Sequence, residues 1–160
     1  MTPFQSAAPE ATSDETWMRM ALDQARLAEQ EGEVPVGACI VGADGAVLAC
    51  GQNRVIRDHD PTAHAEMVAL RAAGRALGNY RLEGCAIFVT LEPCAMCAGA
   101  MIHARIARLV FGAYDPKAGA CGSVLRVVNH PQLNHQMAVR GEVLAEECGG
   151  MLRGFFRARR

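Results

Sequence analysis

The chain has few aromatic residues, a single lysine and no long apolar run. Phe, Trp and Tyr together make up 5% of its 160 residues, and hydrophobic residues make up 51%, an ordinary globular fraction. No apolar stretch reaches the roughly 20 residues that a membrane-spanning helix needs. We therefore expect one domain with one hydrophobic core and no association with membranes.

The N-terminus carries no secretion signal. Residues 1–12 have neither a basic start nor an apolar stretch, and their Pro, Ser, Thr and Ala content predicts a short disordered lead-in to a single domain at 13–160. Seven cysteines, an odd number, argue against a disulfide framework and for reduced thiols, some of them metal ligands. Together these features predict a cytoplasmic protein.

The net charge of −1 conceals an uneven distribution. Residues 1–33 carry a balance of −5, and residues 34–160 a balance of +4. Fifteen of the sixteen basic residues are arginines, which suit planar phosphate and base contacts, although genomic codon bias explains the ratio equally well. Four lie in the last eight residues: Arg153, Arg157, Arg159 and Arg160. This cluster is either a phosphate-binding surface or a solvated helix end.

Apolar periodicity and turn signals predict helices that alternate with strands after an opening hairpin. The predicted helices are 13–31 with Ser13 as cap, 61–78 begun by Pro61, 93–104 begun by Pro93, a short one near 123–128, and 142–157. The predicted strands are 36–41, 46–51, 86–90, 108–113 and an edge strand at 136–140. This order predicts an α/β domain of three layers with a mixed sheet.

Two short motifs supply ligands for a metal ion: His64-Ala65-Glu66 and Pro93-Cys94-Ala95-Met96-Cys97. Cys94 and Cys97, at i and i+3, lie on one helix face, whereas His64 and Glu66, at i and i+2, converge only where a chain enters a helix. Three ligands leave a tetrahedral zinc one open position, as in catalytic sites. This pattern is the known signature of zinc-dependent nucleobase deaminases. We expect the zinc between two helix N-termini, where the helix dipole stabilises thiolates.

The charges of the ligands explain the need for Glu66. Two thiolates and a neutral imidazole together cancel the +2 charge of zinc. A water molecule bound to such a zinc is therefore expected to be less acidic than one bound to a zinc held by three neutral histidines. A neighbouring carboxylate can take the proton and later deliver it to the substrate. Glu66 is thus the predicted catalytic residue.

The alternative for the two cysteines is a structural zinc site, which needs a fourth protein ligand. Cys121, His103 or His130 could supply one. The remaining cysteines at 39, 50, 85 and 148 fall in or beside predicted elements and are expected to be small core residues.

With these motifs in place, the chain resembles bacterial tRNA-specific adenosine deaminases of the cytidine deaminase-like superfamily, from about Trp17 to Arg160. Free-guanine deaminases carry a similar segment at 60–66, so this segment by itself does not identify the substrate. The discriminating stretches are Asn79–Leu82, Thr90–Arg105, His130–His135 and Phe155–Arg160.

The resemblance implies a cytidine deaminase-like fold with a central mixed five-stranded sheet. It also implies hydrolytic deamination of adenosine to inosine at the wobble position of a tRNA anticodon, typically of an arginine tRNA. His64, Cys94 and Cys97 match the ligands of one zinc per subunit, and Glu66 matches the proton shuttle. The resemblance further implies a homodimer that binds a tRNA anticodon stem-loop, without an organic cofactor.

Other substrate-binding residues come from the resemblance alone. Asn53, Ala65 and Asp115 match substrate-binding positions, although Asn53 and Asp115 are also ordinary turn residues. The candidate RNA contacts are instead chosen for their positive charge, and each is equally well explained as solvated surface charge: Arg54, Arg57, Arg81, Arg153, Arg157, Arg159 and Arg160. Tyr114 and Asn129 lie beside motif positions where we expect variation, which affects RNA contacts and not the chemistry.

Two other hypotheses remain open at this point. The first is a deaminase of small molecules such as guanine or cytosine. The second is a structural zinc module or RNA-binding protein without catalysis. The arginine-rich end and the stretches around Tyr80 and His130 favour the RNA-directed enzyme.

Overall fold

The computed structural model describes the backbone of residues 7–159 and the side chains of residues 14–159. The helices are α1 (Ala7–Gln30), α2 (Ala65–Leu77), α3 (Ala95–His103) and α4 (Ala145–Ala158). The strands are β1 (Gly37–Val41), β2 (Val47–Gln52), β3 (Ala86–Leu91), β4 (Arg108–Ala113) and β5 (Ala138–Arg140). Within this part of the chain, no helix combines the length and the apolar character needed to cross a membrane.

The strands form one mixed sheet in the order β2-β1-β3-β4-β5. β1 pairs antiparallel with both β2 and β3, whereas β3, β4 and β5 run parallel. α3 is the crossover between the parallel strands β3 and β4. The predicted mixed sheet of five strands is therefore confirmed.

Helices cover both faces of this sheet, which confirms the three layers. Alternate residues of β3 point to opposite faces, as the pleat requires. Phe88 packs with Met18 and Leu22 of α1, whereas Ile87 packs with Leu70 of α2 and Met101 of α3. α4 packs beside α1 on its face of the sheet. The larger core lies between the sheet and the pair α2 and α3.

The start of α1 differs from the prediction. The helix begins at Ala7, inside the segment predicted as a disordered lead-in and six residues before the predicted cap at Ser13. Residues 1–6 of that segment lie outside the described residues. Alanine has the highest helix propensity, and Pro9 falls in the first turn, where its missing N–H has no intrahelical partner.

α2 begins at Ala65 and not at the predicted Pro61. The Asp60 carboxylate accepts hydrogen bonds from the N–H and the hydroxyl of Thr62, at 2.8 and 2.7 Å, which closes a turn before the helix. Its predicted end at Gly78 is confirmed, with φ of 66° at that residue.

The short helix predicted near 123–128 is absent from the described chain. Turns and an isolated bridge between Cys121 and Arg126 occupy the segment. The N–H and hydroxyl of Ser123 bond to the buried carboxylate of Glu92, which draws the backbone away from helical geometry. The last helix, α4, begins three residues later than predicted, at Ala145.

A carboxylate ties α1 to the edge of the sheet. Asp14, which is 2% exposed, accepts two hydrogen bonds from Arg108 of β4 and one from Arg140 of β5, at 2.6–2.7 Å. Burial alone would raise the pKa of Asp14, but the bonds to the two guanidinium groups outweigh it and hold this pKa below the ordinary 3.8.

We predict that Asp14→Asn lowers the free energy of unfolding at neutral pH by about 1–2 kcal/mol, because charge-assisted hydrogen bonds are lost while both arginines keep some solvent screening. Since the folded pKa of Asp14 lies below its unfolded value, this stabilisation is present above pH 3.8 and disappears as pH falls through the folded pKa. Denaturant unfolding at neutral and acid pH measures the difference.

Asp23→Asn is the control, because Asp23 makes an exposed ion pair with Arg26 within one helix. The prediction would be contradicted if both substitutions lowered the free energy of unfolding equally. It would also be contradicted if the decrease caused by Asp14→Asn were as large at acid pH as at neutral pH.

Candidate active site

Two helix N-termini meet beside the end of β3. His64 is the N-cap of α2 and Cys94 is the N-cap of α3, and both have extended backbone. Neither side chain caps its own helix. The extended cap residue explains how His64 and Glu66 reach one site although they are two positions apart. The structure brings the predicted ligands to two helix N-termini, but both prolines precede the caps and are not the first helical residues.

His64, Cys94 and Cys97 form the metal-binding cluster. Their ligand atoms lie within 4.8 Å of one another. The Nδ1 atom of His64 is 3.6 Å from each sulfur. Bonds of about 2.3 Å from zinc to sulfur and about 2.0–2.1 Å to nitrogen, at a tetrahedral angle, separate sulfur and nitrogen by about 3.5–3.6 Å. The donor set and its spacing therefore fit zinc, with Nδ1 as the ligating nitrogen.

The protonation of the two thiols also favours a cation. The hydrogen bond from Cys97 lowers the pKa of Cys94 to about 3. The same contact and burial raise the pKa of Cys97. Two adjacent thiolates repel each other, so only one ionises readily. A divalent cation between them removes this conflict, because metal ligands bind in the deprotonated form.

Glu66 lies in the first turn of α2 and is 4% exposed. Burial raises the pKa of its carboxyl to about 7, against an ordinary value of 4.5. Its carboxyl also contacts the thiol of Cys97. A carboxyl that exchanges its proton near neutral pH, next to a metal-binding cluster, has the properties of a general acid and base.

The predicted substrate-binding residues surround the same pocket. This pocket has a volume of about 220 Å³, and Asn53, Ala65 and Asp115 line it together with His64, Glu66 and Cys94. Asn53 follows β2, and its Nδ2 donates to the carbonyl oxygen of Val34 at 3.3 Å, which fixes the amide at the pocket wall. Val34, Val36 and Leu91 give the pocket apolar walls. Such a pocket suits a flat base.

Among the described residues, this cluster is the one group of three or more metal-ligating side chains. Neither Cys121 nor His103 or His130 joins it, so a structural zinc with a fourth protein ligand finds no support. Burial raises the pKa of Cys121 to about 12, which keeps that thiol protonated. Cys39, Cys85 and Cys148 are buried, as predicted, whereas Cys50 is partly exposed.

A second, wider cleft of about 790 Å³ adjoins the pocket and shares Val34, Leu91 and Asp115 with it. Its other wall combines aromatic and basic side chains from the loop after β4 and from α4: Tyr114, Lys117, Arg153, Phe156 and Arg157. Tyr114 is 50% exposed and packs edge-on against Phe111, with ring centroids 5.2 Å apart. The cleft therefore offers exposed rings beside cations at the mouth of the site.

The other candidate RNA contacts among the described residues do not line the cleft, and they have partners, as does Arg153 of the cleft wall, which lies 3.8 Å from Glu146. Arg54 pairs with Asp58 and Arg57 with Glu31. Arg81 lies against Tyr80, to whose hydroxyl its Nε donates, and 3.7 Å from Glu83. Arg159 stacks on the ring of Phe155, 3.6 Å from the centroid. Arg160 lies outside the described residues.

Two buried carboxylates were missed by the sequence analysis. Glu33, 1% exposed, accepts hydrogen bonds from the amides of Ile56 and Arg57 and so holds the loop after Asn53. Glu92, 2% exposed, holds the loop that carries Asp115. The available signal for Glu92 was an acidic residue at the end of an apolar strand, directly before the Pro93-Cys94 motif.

Comparison with known proteins gives consistent matches. Residues 11–113 match the family described as the cytidine and deoxycytidylate deaminase zinc-binding region. The tRNA-specific adenosine deaminase of Bacillus subtilis is 47% identical over 146 residues, which is 91% of this chain and 90% of the relative. The enzyme of the same description from Haemophilus influenzae is 50% identical over 147 residues, 92% of this chain and 85% of the relative.

A solved structure gives the same match. It comes from studies of A-to-I editing by tRNA:A34 deaminases at the wobble position of transfer RNA, and it aligns with a TM-score of 0.82 at 44% identity. The alignment covers 86% of this chain and 99% of that chain.

We predict that His64→Ala and Cys97→Ala each reduce bound zinc from about one per chain to a small fraction, because two ligands hold zinc weakly. Cys121→Ser is the matched control and keeps its zinc. Elemental analysis of the purified variants measures the metal. Loss of zinc from the Cys121 variant would show a fourth protein ligand and refute an open coordination position.

Proposed function

The chain belongs to the cytidine and deoxycytidylate deaminase family and, within it, to the tRNA-specific adenosine deaminases, and we propose that it hydrolyses the wobble adenosine of an arginine tRNA to inosine with release of ammonia. The observation that carries the proposal is the pocket that unites the ligand cluster with buried Glu66 and opens into a cleft of aromatic and basic side chains.

His64, Cys94 and Cys97 are the proposed zinc ligands. Zinc held there supplies a Lewis acid that lowers the pKa of a water molecule. Glu66 takes one proton from the attacking water and delivers it to N1 of adenine as the hydroxyl adds to C6. It then carries the proton of that hydroxyl to the amino group, which leaves as ammonia while C6 becomes a carbonyl. The pKa of Glu66, raised to about 7 by burial, suits a group that must both accept and donate near neutral pH.

Asn53, Ala65 and Asp115 are proposed to orient the target nucleoside. The apolar walls of the pocket exclude water from the face of the base. A base in an anticodon loop is already partly unstacked, so its transfer into the pocket requires less free energy than flipping from a duplex.

The adjoining cleft is proposed to receive the nucleotides next to the target. Exposed Tyr114 and Phe156 offer rings for base stacking, and Lys117, Arg153 and Arg157 offer charge for phosphates. A deaminase of free bases needs only the pocket. The cleft therefore favours RNA over a small molecule.

We also propose that the enzyme is a cytoplasmic homodimer. The resemblance implies the dimer, and several large apolar side chains are exposed on the described surface, among them Ile56 at 65% and Tyr80 at 68%. Light scattering of the zinc-loaded protein gives its mass in solution.

The substrate is tested with an anticodon stem-loop of an arginine tRNA that carries adenosine at the wobble position. We expect conversion to inosine, no turnover of free adenine, guanine or cytosine, and no turnover of a loop with adenosine at another position. Glu66→Ala should keep its zinc and lose activity by at least about 100-fold, the usual contribution of a general acid and base. Turnover of a free base with an inert stem-loop would refute the RNA substrate.

The salt dependence of binding tests the cleft. Each of Arg153→Ala and Arg157→Ala should reduce the slope of log affinity against log salt by about 0.7 if it removes one phosphate contact to a single strand. Single substitutions are preferable to deletion of residues 153–160 as a test of RNA binding, because the deletion would also remove Phe155, which is buried in the core. Arg26→Ala is the control, because Arg26 pairs with Asp23 on α1 and does not line the cleft. An unchanged slope in both cleft variants would show that these arginines are merely solvated.

A further inference from the structure

The buried carboxylate of Glu92 receives four hydrogen bonds from one loop. Its Oε1 accepts from the amide of Asp115 at 3.0 Å and from the hydroxyl of Ser123 at 2.5 Å. Its Oε2 accepts from the amides of Cys121 and Ser123 at 2.9 and 3.2 Å. The loop of residues 115–123 is therefore wrapped around one side chain.

The loop backbone passes close to the Glu92 carboxylate at Gly119. A Cβ added to Gly119 would collide with the Glu92 carboxylate, so this position requires a residue without a side chain. The chain is also anchored on both sides, because the amide of Glu92 donates to the carbonyl of Ala113 and the amide of Ala120 to that of Pro93, each at 2.8 Å. Two accepting oxygens are needed to bind these four donors. Among side chains, an ionised carboxylate provides two accepting oxygens and no competing donor.

Glu92 also connects two functional parts of the site. It lies two residues before Cys94, a proposed ligand, and its partner loop carries Asp115 and Ala118 of the pocket and Lys117 of the cleft. We propose that Glu92 is a positioning residue, which fixes the RNA-facing loop 115–123 relative to the metal site and acts on the substrate through Asp115. This inference rests on the proposed function.

Glu92→Gln tests the proposal, because the amide group turns a donor toward at least one backbone N–H and disturbs the loop. We expect KM for the stem-loop to rise roughly tenfold or more, with kcat near the wild-type value and about one zinc per chain. Ser123→Ala, which removes one of the four donors, should raise KM less. In the Asp115→Ala background, Glu92→Gln should add little, since both act through the same contact.

A readout without RNA separates this proposal from the proposed function. Hydrogen exchange of the zinc-loaded protein should be faster in Glu92→Gln at the amides of Asp115, Cys121 and Ser123, and unchanged in α2. If the wild type does not deaminate the stem-loop, the proposed substrate is wrong. The hydrogen-exchange rates still test whether Glu92 holds loop 115–123 in place. Unaltered exchange in the loop, or a fall in kcat with loss of zinc at constant KM, would overturn the role of Glu92.

A second, independent observation concerns two thiols far from this loop in the chain. Cys39 of β1 and Cys50 of β2 are direct partners in the antiparallel register, and their sulfur atoms are 2.8 Å apart. Cys39 is fully buried, whereas Cys50 is partly exposed. Directly opposed residues of an antiparallel pair have Cα atoms about 4.5–5.5 Å apart, within the roughly 4.4–6.8 Å that a disulfide spans.

We infer that Cys39 and Cys50 form a dithiol that a low-molecular-weight disulfide such as glutathione disulfide oxidises. Cys50 attacks the reagent and releases one thiol; Cys39 then attacks the Cys50 sulfur and releases the second. One protein disulfide and two thiols form from two protein thiols and one disulfide. The contact between the sulfurs lowers the pKa of Cys50 and raises that of Cys39, so the exposed thiol is the better nucleophile.

Zinc-loaded protein treated with glutathione disulfide, followed by alkylation and peptide mapping without reductant, locates the product. We expect a bond between Cys39 and Cys50 in the wild type and in Cys121→Ser, and none in Cys50→Ser, where Cys39 should alkylate as a thiol after unfolding. Oxidation at Cys121 or at Cys94 and Cys97, with Cys39 and Cys50 still reduced, would overturn the inference.

Discussion

The close approach of α2 to β2 determines where His64 and Glu66 lie in the active site. A Cβ added to Gly51 would lie 2.5 Å from the carbonyl oxygen of Ala65 and 2.7 Å from the amide of Ala69. A larger residue would push α2 away from the sheet, and His64 and Glu66 move with the first turn of that helix. The 3.6 Å spacing between His64 and the two thiols on α3 therefore depends on a missing side chain in a neighbouring strand.

Three buried glutamates show how one residue type takes different roles in different surroundings. Glu33 and Glu92 accept hydrogen bonds from loop amides and serve as internal anchors. Burial alone would raise the pKa of Glu92, but the bonds from Ser123, Asp115 and Cys121 hold it below its ordinary value. Glu66 has no such loop to hold, and burial leaves its pKa near neutrality. The hydrogen-bond donors around Glu92 thus favour its ionised form, whereas burial with fewer donors gives Glu66 the pKa expected of the proposed proton carrier.

Local patterns in the sequence predicted the elements whose signals are local. The bounds of β4, the end of α2 at Gly78 and the pairing of Cys94 with Cys97 follow from apolar runs, a left-handed glycine and an i, i+3 spacing. The predicted helix near Ser123 was wrong because Glu92, 31 residues away in the chain, binds that backbone. The residues of the second cleft come from the loop after β4 and from α4, and only the folded sheet brings them together. Contacts between residues far apart in the chain produce no periodic pattern in the sequence from which they could be predicted.

The extended N-cap residues His64 and Cys94 have a consequence for folding. They are 30 positions apart, and their side chains leave both helix starts uncapped in order to face each other. A bound cation would close this long loop as a covalent cross-link does, and would hold two crossover units together at their first turns. By mass action, the thermal stability of the protein would then rise with free zinc. The two helix starts would then be the part of the fold whose stability depends most directly on the bound cation.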